Sequence, residues 1–315
     1  MSDLSIVEPI RRRRFHRSEV VPPFQLTERD VEIARQVARH RFLRSTHISL
    51  LLEAPHKKIC ERLTLLYHAG YLDRPRSQLE YHVRNGGSAP YVYGLGNRGA
   101  RLLKGSNEFG PTGVDWARKN RDTTHQFLLH ALSIADFRVA LAVACRTGPD
   151  VRLIEPDELL QSAPEQTRQA PNPWSWRVRV QFKGQITEVG VIPDYVFALI
   201  VPDGRRRPFV VEIDRGTMPI ERASLSQTSI LRKFLAYEAS YRQWLHTSRF
   251  DWKNFRVLIK TTSQERANSM HALIQNTSEI NGSALFLLSH QSALIQSDIL
   301  TIGWSNSRGA ATTLI

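Results

Sequence analysis

The segment between residues 193 and 214 restricts the fold most. Two apolar runs, Asp194 to Val201 and Pro208 to Asp214, flank the triplet Pro202-Asp203-Gly204. A Pro/Asp/Gly turn between two strand-forming runs predicts a β-hairpin. Hairpin pairing is antiparallel, so Asp194, at the start of the first strand, adjoins Glu212 and Asp214 at the end of the second. Side chains repeat with period two along a strand, which puts Glu212 and Asp214 on one face. Three carboxylates are therefore expected to converge at one end of a sheet. Like charges at that distance repel, and a hard divalent cation, Mg2+ or Mn2+, offsets them with oxygen ligands. Such an ion polarises a phosphodiester and lowers the pKa of a bound water. Lys233, on a helix expected from about Ser226 to Leu245, is the best-placed amine. Tyr237 and Tyr241 follow it at i+4 and i+8, on nearly the same face. The plainer alternative leaves Glu212 and Asp214 as solvated residues at a strand end.

The surrounding pattern predicts a mixed α/β domain. A long amphipathic helix is expected from about Thr124 to Arg146, followed by a loop-rich stretch holding Pro156, Pro164, Pro171 and Pro173. Arg177 to Phe182 alternates with period two, as a strand does. After the Lys233 helix come a strand (Phe255 to Lys260), a helix (Gln264 to Gln275) and a last strand (Ala284 to Leu288).

Residues 25–105 read differently. Thr27 stands three residues before Asp30, the start signal of a helix whose Ile33, Ala34, Val37 and Ala38 recur at helical spacing. Ser45 or Thr46 caps a second helix running to Leu52. A third spans about Pro55 to His68, with Ile59, Leu63 and Leu66 inward and His56, Lys57, Lys58 and Arg62 outward. Two strands, Leu79 to Arg84 and Tyr91 to Leu95, are expected around the turn that begins Asn85-Gly86-Gly87, with a short helix, Ala100 to Leu103, after them. Three helices and a hairpin make the order of a winged helix, a helix-turn-helix variant whose third helix enters the major groove. Lys57, Lys58 and Arg62 are thus candidate DNA contacts, against the alternative of an ordinary exposed face. Gly94-Leu95-Gly96-Asn97-Arg98-Gly99 matches G-x-G-x-x-G, but no strand–helix–strand unit surrounds it, as a dinucleotide site requires. Its glycines are expected to shape the end of the wing, with Arg98 and Arg101 touching phosphate.

Charge supports a polyanionic partner. The 315 residues carry a net charge of +13, and residues 1–110 hold 19 Lys and Arg against 11 Asp and Glu. Arg11 to Arg14 make residues 1–24 a basic arm, in which Arg12 and Arg13 either contact phosphate or are simply solvated. Cys60 and Cys145 form no CxxC, so no disulfide framework or thiolate zinc site is expected. His125 and His130 are five apart, which is not the spacing of a helical zinc pair. His130 reads equally as a core histidine or a site residue. The longest apolar run, Tyr195 to Val201, is far shorter than the roughly 20 residues of a spanning helix, and the first residues lack the apolar region of a leader. A cytoplasmic protein with no membrane partner is expected.

A Pro-Asp strand, an acid on the next strand and a nearby lysine resemble the PD-(D/E)xK nuclease superfamily. More narrowly, "PDYVF…FVVEIDRGTMPIE…ILRKFLAYEASY" resembles the replication-relaxation family, related to MobC-type relaxases of mobile plasmids. "LTERDVEIARQVARHRFL…LYHAGYLDR…YVYGLGNRGARLL" and "HALSIADFRVAL" resemble its N-terminal part and its central helix. The resemblance covers most of residues 26–260. It implies a winged helix (25–105), a linker (106–122) and a restriction-endonuclease-like mixed-sheet domain (123–315). By the same resemblance Asp194 and Glu212 are metal ligands, Lys233 the catalytic lysine, and Asp214 and Arg215 part of the motif. His130 and Asp136 would face the site from the central helix. The usual spacing puts the lysine two residues after the second acid. Here Asp214 stands there, and the helix supplies Lys233. The implied function is binding of double-stranded DNA at an origin of transfer or replication, with nicking or relaxation by a divalent metal. Tyr195, Tyr237 and Tyr241 are the tyrosines near enough in sequence for a tyrosine-linked cleavage. Other mobilization proteins and a second copy of the chain are further candidate partners. The alternative is a non-catalytic winged-helix regulator with a degenerate nuclease-like domain.

Overall fold

Thr27 and Asp30 start the first helix as their spacing requires. The Thr27 N–H and Oγ1 both donate to Asp30 Oδ2, at 2.7 and 2.9 Å, and α1 runs Glu28–His40. The structure, a computed structural model, describes residues 15–21, 23–80, 89–105, 114–148, 150–296, 298–301 and 303–315. It is a mixed α/β chain that divides into two units, Met1–Val139 and Ala140–Ile315.

In the first unit α1 is followed by β1 (Phe42–Arg44), α2 (Ser45–Leu51), α3 (His56–His68), β2 (Leu72–Asp73) and β3 (Val92–Leu95). The strands pair antiparallel in the order β1-β3-β2, with Phe42 opposite Gly94 and Leu72 opposite Leu95. Pro55 precedes α3, whose Ile59, Leu63 and Leu66 are buried as their spacing predicts. β3 pairs with β1 and β2, and Leu79 and Glu80, which open the expected strand Leu79 to Arg84, lie in neither. Residues 76–80 form a 3-10 turn, and 81–88, with the Asn85-Gly86-Gly87 turn, lie outside the described residues, as do Arg12 and Arg13. β1 was not expected, because three residues are too few to display an alternation. Helix α4 (Asn97–Leu102) starts earlier than Ala100. A Cβ at Gly96 would stand 2.4 Å from the Gly70 carbonyl oxygen, and one at Gly99 2.2 Å from that of Tyr71. These glycines let α4 press on the turn that follows α3. The unit continues through α5 (Trp116–Arg121), within the expected linker, into α6 (His125–Thr147), where Leu128, Ala131 and Leu132 pack with Phe42 and Val92. Among the described residues α6 is the helix long and apolar enough to cross a membrane, although polar residues interrupt its apolar sequence. Its buried Leu128, Leu132, Ala135 and Val139 recur at the spacing of a core helix.

The second unit holds β4 (Arg152–Ile154), α7 (Pro156–Gln161), α8 (Glu165–Arg168), β5 (Trp176–Phe182), β6 (Gln185–Val191), β7 (Tyr195–Ile200) and β8 (Arg206–Ile213). Then come α9 (Ile230–Arg242), α10 (Leu245–Phe250), β9 (Arg256–Thr261), α11 (Gln264–Asn276), β10 (Phe286–His290), α12 (Gln291–Gln296), β11 (Trp304–Asn306) and β12 (Ala311–Thr312). Seven strands form one sheet in the order β12-β11-β10-β9-β8-β7-β4, with β8, β9 and β10 mutually parallel. The expected hairpin is present: Tyr195 opposes Val211, Ile200 opposes Arg206, and Gly204 takes the positive φ (79°) of the turn. β5 and β6 form a separate two-stranded ribbon. Its Trp176, Val178, Val180 and Phe182 face a core shared with α9, α11 and one face of the sheet. The expected helix Ser226 to Leu245 is shorter, because Trp244 adopts a left-handed conformation (φ 56°) that separates α9 from α10.

Candidate functional site

Of the three acids expected to converge, the hairpin delivers two, Asp194 and Glu212, to one place. The Asp194 N–H donates to the Val211 carbonyl (3.1 Å), and its Oδ2 accepts the Ile213 N–H (2.7 Å), so Asp194 clamps the end of β8 beside Glu212. Ser229 caps α9, its Oγ accepting the Arg232 N–H at 3.2 Å. One turn into that helix Lys233 Nζ donates to Glu212 Oε2, and one turn further the Tyr237 hydroxyl donates to Glu212 Oε1. The ribbon fixes α9 from the other side. The Trp176 ring meets Tyr237 edge-on at 6.2 Å, and its Nε1 donates to Ser240 Oγ at 2.8 Å. These groups stand at the carboxyl ends of the parallel strands, where open α/β sheets place their ligand sites.

Glu212 is buried, and burial pushes its pKa above the ordinary carboxylate value. The Asp194 charge adds to this, and Lys233 and Tyr237 oppose it. Burial works to lower the Lys233 pKa, but the Glu212 and Asp194 charges outweigh it and leave the amine a firm cation. Burial, and then Glu212, push the Tyr237 phenol well above its usual range, so it remains a donor. The Lys233 side chain is 30% exposed against 5% for Glu212, so an incoming group meets the amine first. It does so from a cavity of about 170 Å³ walled by Glu212, Lys233, Tyr237, Arg232, Thr228 and the end of β6. Arg232 brings a second cation, and its Nε has no hydrogen-bond partner. Asp194 and Glu212 are adjoining hard oxygen donors. Among the described residues no group of three or more His, Cys, Asp or Glu side chains is placed to share a metal ion.

A family model for replication-relaxation proteins matches residues 35–251. This chain belongs to the replication-relaxation family. Membership implies interaction with DNA in general, in the replication or relaxation of mobile elements. No curated protein and no solved structure matches the chain. The replication-relaxation match takes in Asp194, Glu212, Lys233 and Tyr237, and it ends before Arg256 and Arg266.

The other candidate residues of this replication-relaxation protein are placed as follows. Asp214 does not join Glu212. β8 ends at Ile213, the alternation ends with it, and the Asp214 carboxylate accepts from Thr261 Oγ1 (2.6 Å) and from the forked guanidinium of Arg266 (Nη2 to Oδ1, 2.9 Å). Arg215 follows it, half-buried. Arg266 and Arg232 went unseen in the sequence. The first lies 52 residues from its partner, and the second stands at i−1 from Lys233, a spacing that ordinarily points to another face. In the first unit Lys57 and Lys58 are exposed on α3. Arg62 is committed to the buried Asp30 (Nε to Oδ1, 2.6 Å). Arg98 donates to the Ala69 carbonyl (2.9 Å) and lies over the Tyr71 ring, and Arg101 is exposed. Asp136 on α6 pairs with Arg44 and with His47 Nε2 (2.8 Å), and His130 is half-buried on the same helix.

Proposed function

We propose that this replication-relaxation protein docks on duplex DNA through a winged helix and nicks or relaxes it at a PD-(D/E)xK-like site in the second unit. The observation that carries the reading is the meeting of Asp194, Glu212, Lys233 and Tyr237 beside a cavity at one sheet end. The winged-helix assignment is supported by three helices on a three-stranded antiparallel sheet, with Lys57 and Lys58 exposed on the third helix. The DNA is an origin of transfer or replication, and a cytoplasmic location suits this role. Asp194 and Glu212 would hold Mg2+ or Mn2+, an ion that accepts one or two carboxylates when waters and phosphate oxygens complete its shell. When bound, it supplies a polarised phosphodiester and a more acidic water. Lys233 balances the two carboxylates and presents its charge to phosphate through the cavity, with Arg232 beside it. Tyr237 holds Glu212 in place by donating to it. A phenol whose pKa is raised is a poor nucleophile, so attack by water is favoured over attack by Tyr237. Tyr195 donates to Glu155 (2.9 Å), and Tyr241 stacks on His246.

The test is incubation of supercoiled origin plasmid with Mg2+ or Mn2+. Open circles are expected from the wild type and not from Asp194→Ala or Lys233→Ala. No open circles from the wild type in either metal would remove the nuclease reading. A second reading, a non-catalytic winged-helix regulator, is favoured by the fact that both Glu212 oxygens already accept hydrogen bonds. It expects DNA binding unchanged by EDTA and by Glu212→Gln.

A further inference from the structure

The opposite end of the same sheet carries the reverse charge. Arg205 precedes β8, Arg206 and Arg207 open it, and Arg256 opens β9, where it stands in register with Phe209. Together they line a groove of about 340 Å³, floored by Pro208 and Phe209, with Asn254 as a further polar donor. Among the described residues no acidic side chain lines this groove. Asp203 matches the charge of Arg205, whereas Arg206 and Arg207 bond neutral oxygens, the Ser162 hydroxyl (2.9 Å) and the Leu314 carbonyl (3.2 Å). An ordinary solvated face intersperses both signs of charge and is not concave. Here guanidiniums with unmatched charge share a hollow, and each has five N–H donors in a planar fork suited to phosphate oxygens.

We propose that this groove binds phosphates of a nucleic-acid backbone, as a contact site separate from the Glu212 site. Glu212 lies six residue steps along β8 from Arg206, about 20 Å at roughly 3.3 Å per residue, so no single phosphate reaches both. A duplex touching both ends spans about six base steps at ~3.4 Å each. The inference rests on the DNA-binding reading for the identity of the polyanion, and on the groove alone for its place.

The test measures full-chain binding to a labelled duplex by fluorescence anisotropy across a salt series. Each phosphate contact contributes about 0.9 to the slope of log K against log salt. Arg206→Ala with Arg256→Ala is expected to lower that slope by about 1.8 and to weaken binding at low salt. Arg206→Lys with Arg256→Lys keeps the slope, because it keeps the charges, and so controls for a folding defect. Lys57→Ala with Lys58→Ala is run alongside. If Lys57→Ala with Lys58→Ala weakens binding while Arg206→Ala with Arg256→Ala leaves affinity and slope at wild-type values, the groove inference is overturned and the winged-helix reading stands. If the wild type binds no duplex at any salt, both fall. If the groove variants lose binding of a polyglutamate probe but keep the wild-type DNA slope, the occupant is an acidic peptide and the phosphate assignment is overturned.

Discussion

Two buried acids, one in each unit, face a cation from a helix, and their pKa values shift in opposite directions. Asp30 is fully buried beside Arg62, and Glu212 is nearly so beside Lys233. Burial pushes both carboxyls toward the neutral form. At Asp30 the Arg62 fork and the Thr27 N–H and hydroxyl outweigh it and hold the carboxyl below the ordinary range. At Glu212 one ammonium and one phenol do not outweigh it, the Asp194 charge adds to burial, and the carboxyl stays above the ordinary range. A carboxylate with a forked partner and local donors is a staple. One left under-compensated, beside a cavity and a second acid, is poised to take up a positive charge or a proton.

The sharpest way to break this contrast is to remove each cation. Lys233→Ala should cut plasmid nicking by about a thousandfold, the loss typical of deleting one preorganised charge-stabilising donor. Arg62→Ala should leave the rate per folded molecule unchanged, and equal losses in a gel assay would erase the distinction. In urea unfolding the order reverses. Arg62→Ala leaves a fully buried acid uncompensated and should cost about 3 kcal/mol, and a cost below about 1 kcal/mol would mean Asp30 is no staple. Thr27→Ala, which removes one of the Asp30 donors, should cost about 1 kcal/mol in the same measurement. The gentlest probe is the slope of melting temperature against pH. Asp30 has a folded pKa below 3.8, so its contribution is present above pH 3.8 and disappears as pH falls through the folded value. Glu212 has a folded pKa above 4.5, so its contribution is complete below pH 4.5 and is lost as pH rises through the folded value. Glu212→Gln should therefore flatten the decline above pH 4.5, and Asp30→Asn the decline below pH 3.8. Profiles that both steepen toward acid would contradict the opposite signs.

Several of these features were legible before any coordinates. The Thr27–Asp30 start, the span of α3, the β7–β8 hairpin with Asp194 beside Glu212, and Lys233 with Tyr237 one turn apart all follow from neighbours within a turn or a hairpin. The strands β1 and β6 were not legible. The first is three residues long, and in the second the apolar Ile186 is exposed while the polar Gln185 and Thr187 share the register of Val189 and Val191. Nor was the fate of Asp214, whose period-two kinship with Glu212 ends because the strand stops one residue short.

By itself the sequence determined the backbone repeats, and with them which side chains share a turn or a strand end. Only the tertiary structure decided which acid is a staple and which is left under-compensated beside a cavity. Arg62 reaches Asp30 across 32 residues and Arg266 reaches Asp214 across 52. Local dihedral preferences carry no information about such meetings. They are settled when apolar faces bury and each enclosed charge must find a partner among whatever groups the packing brings near.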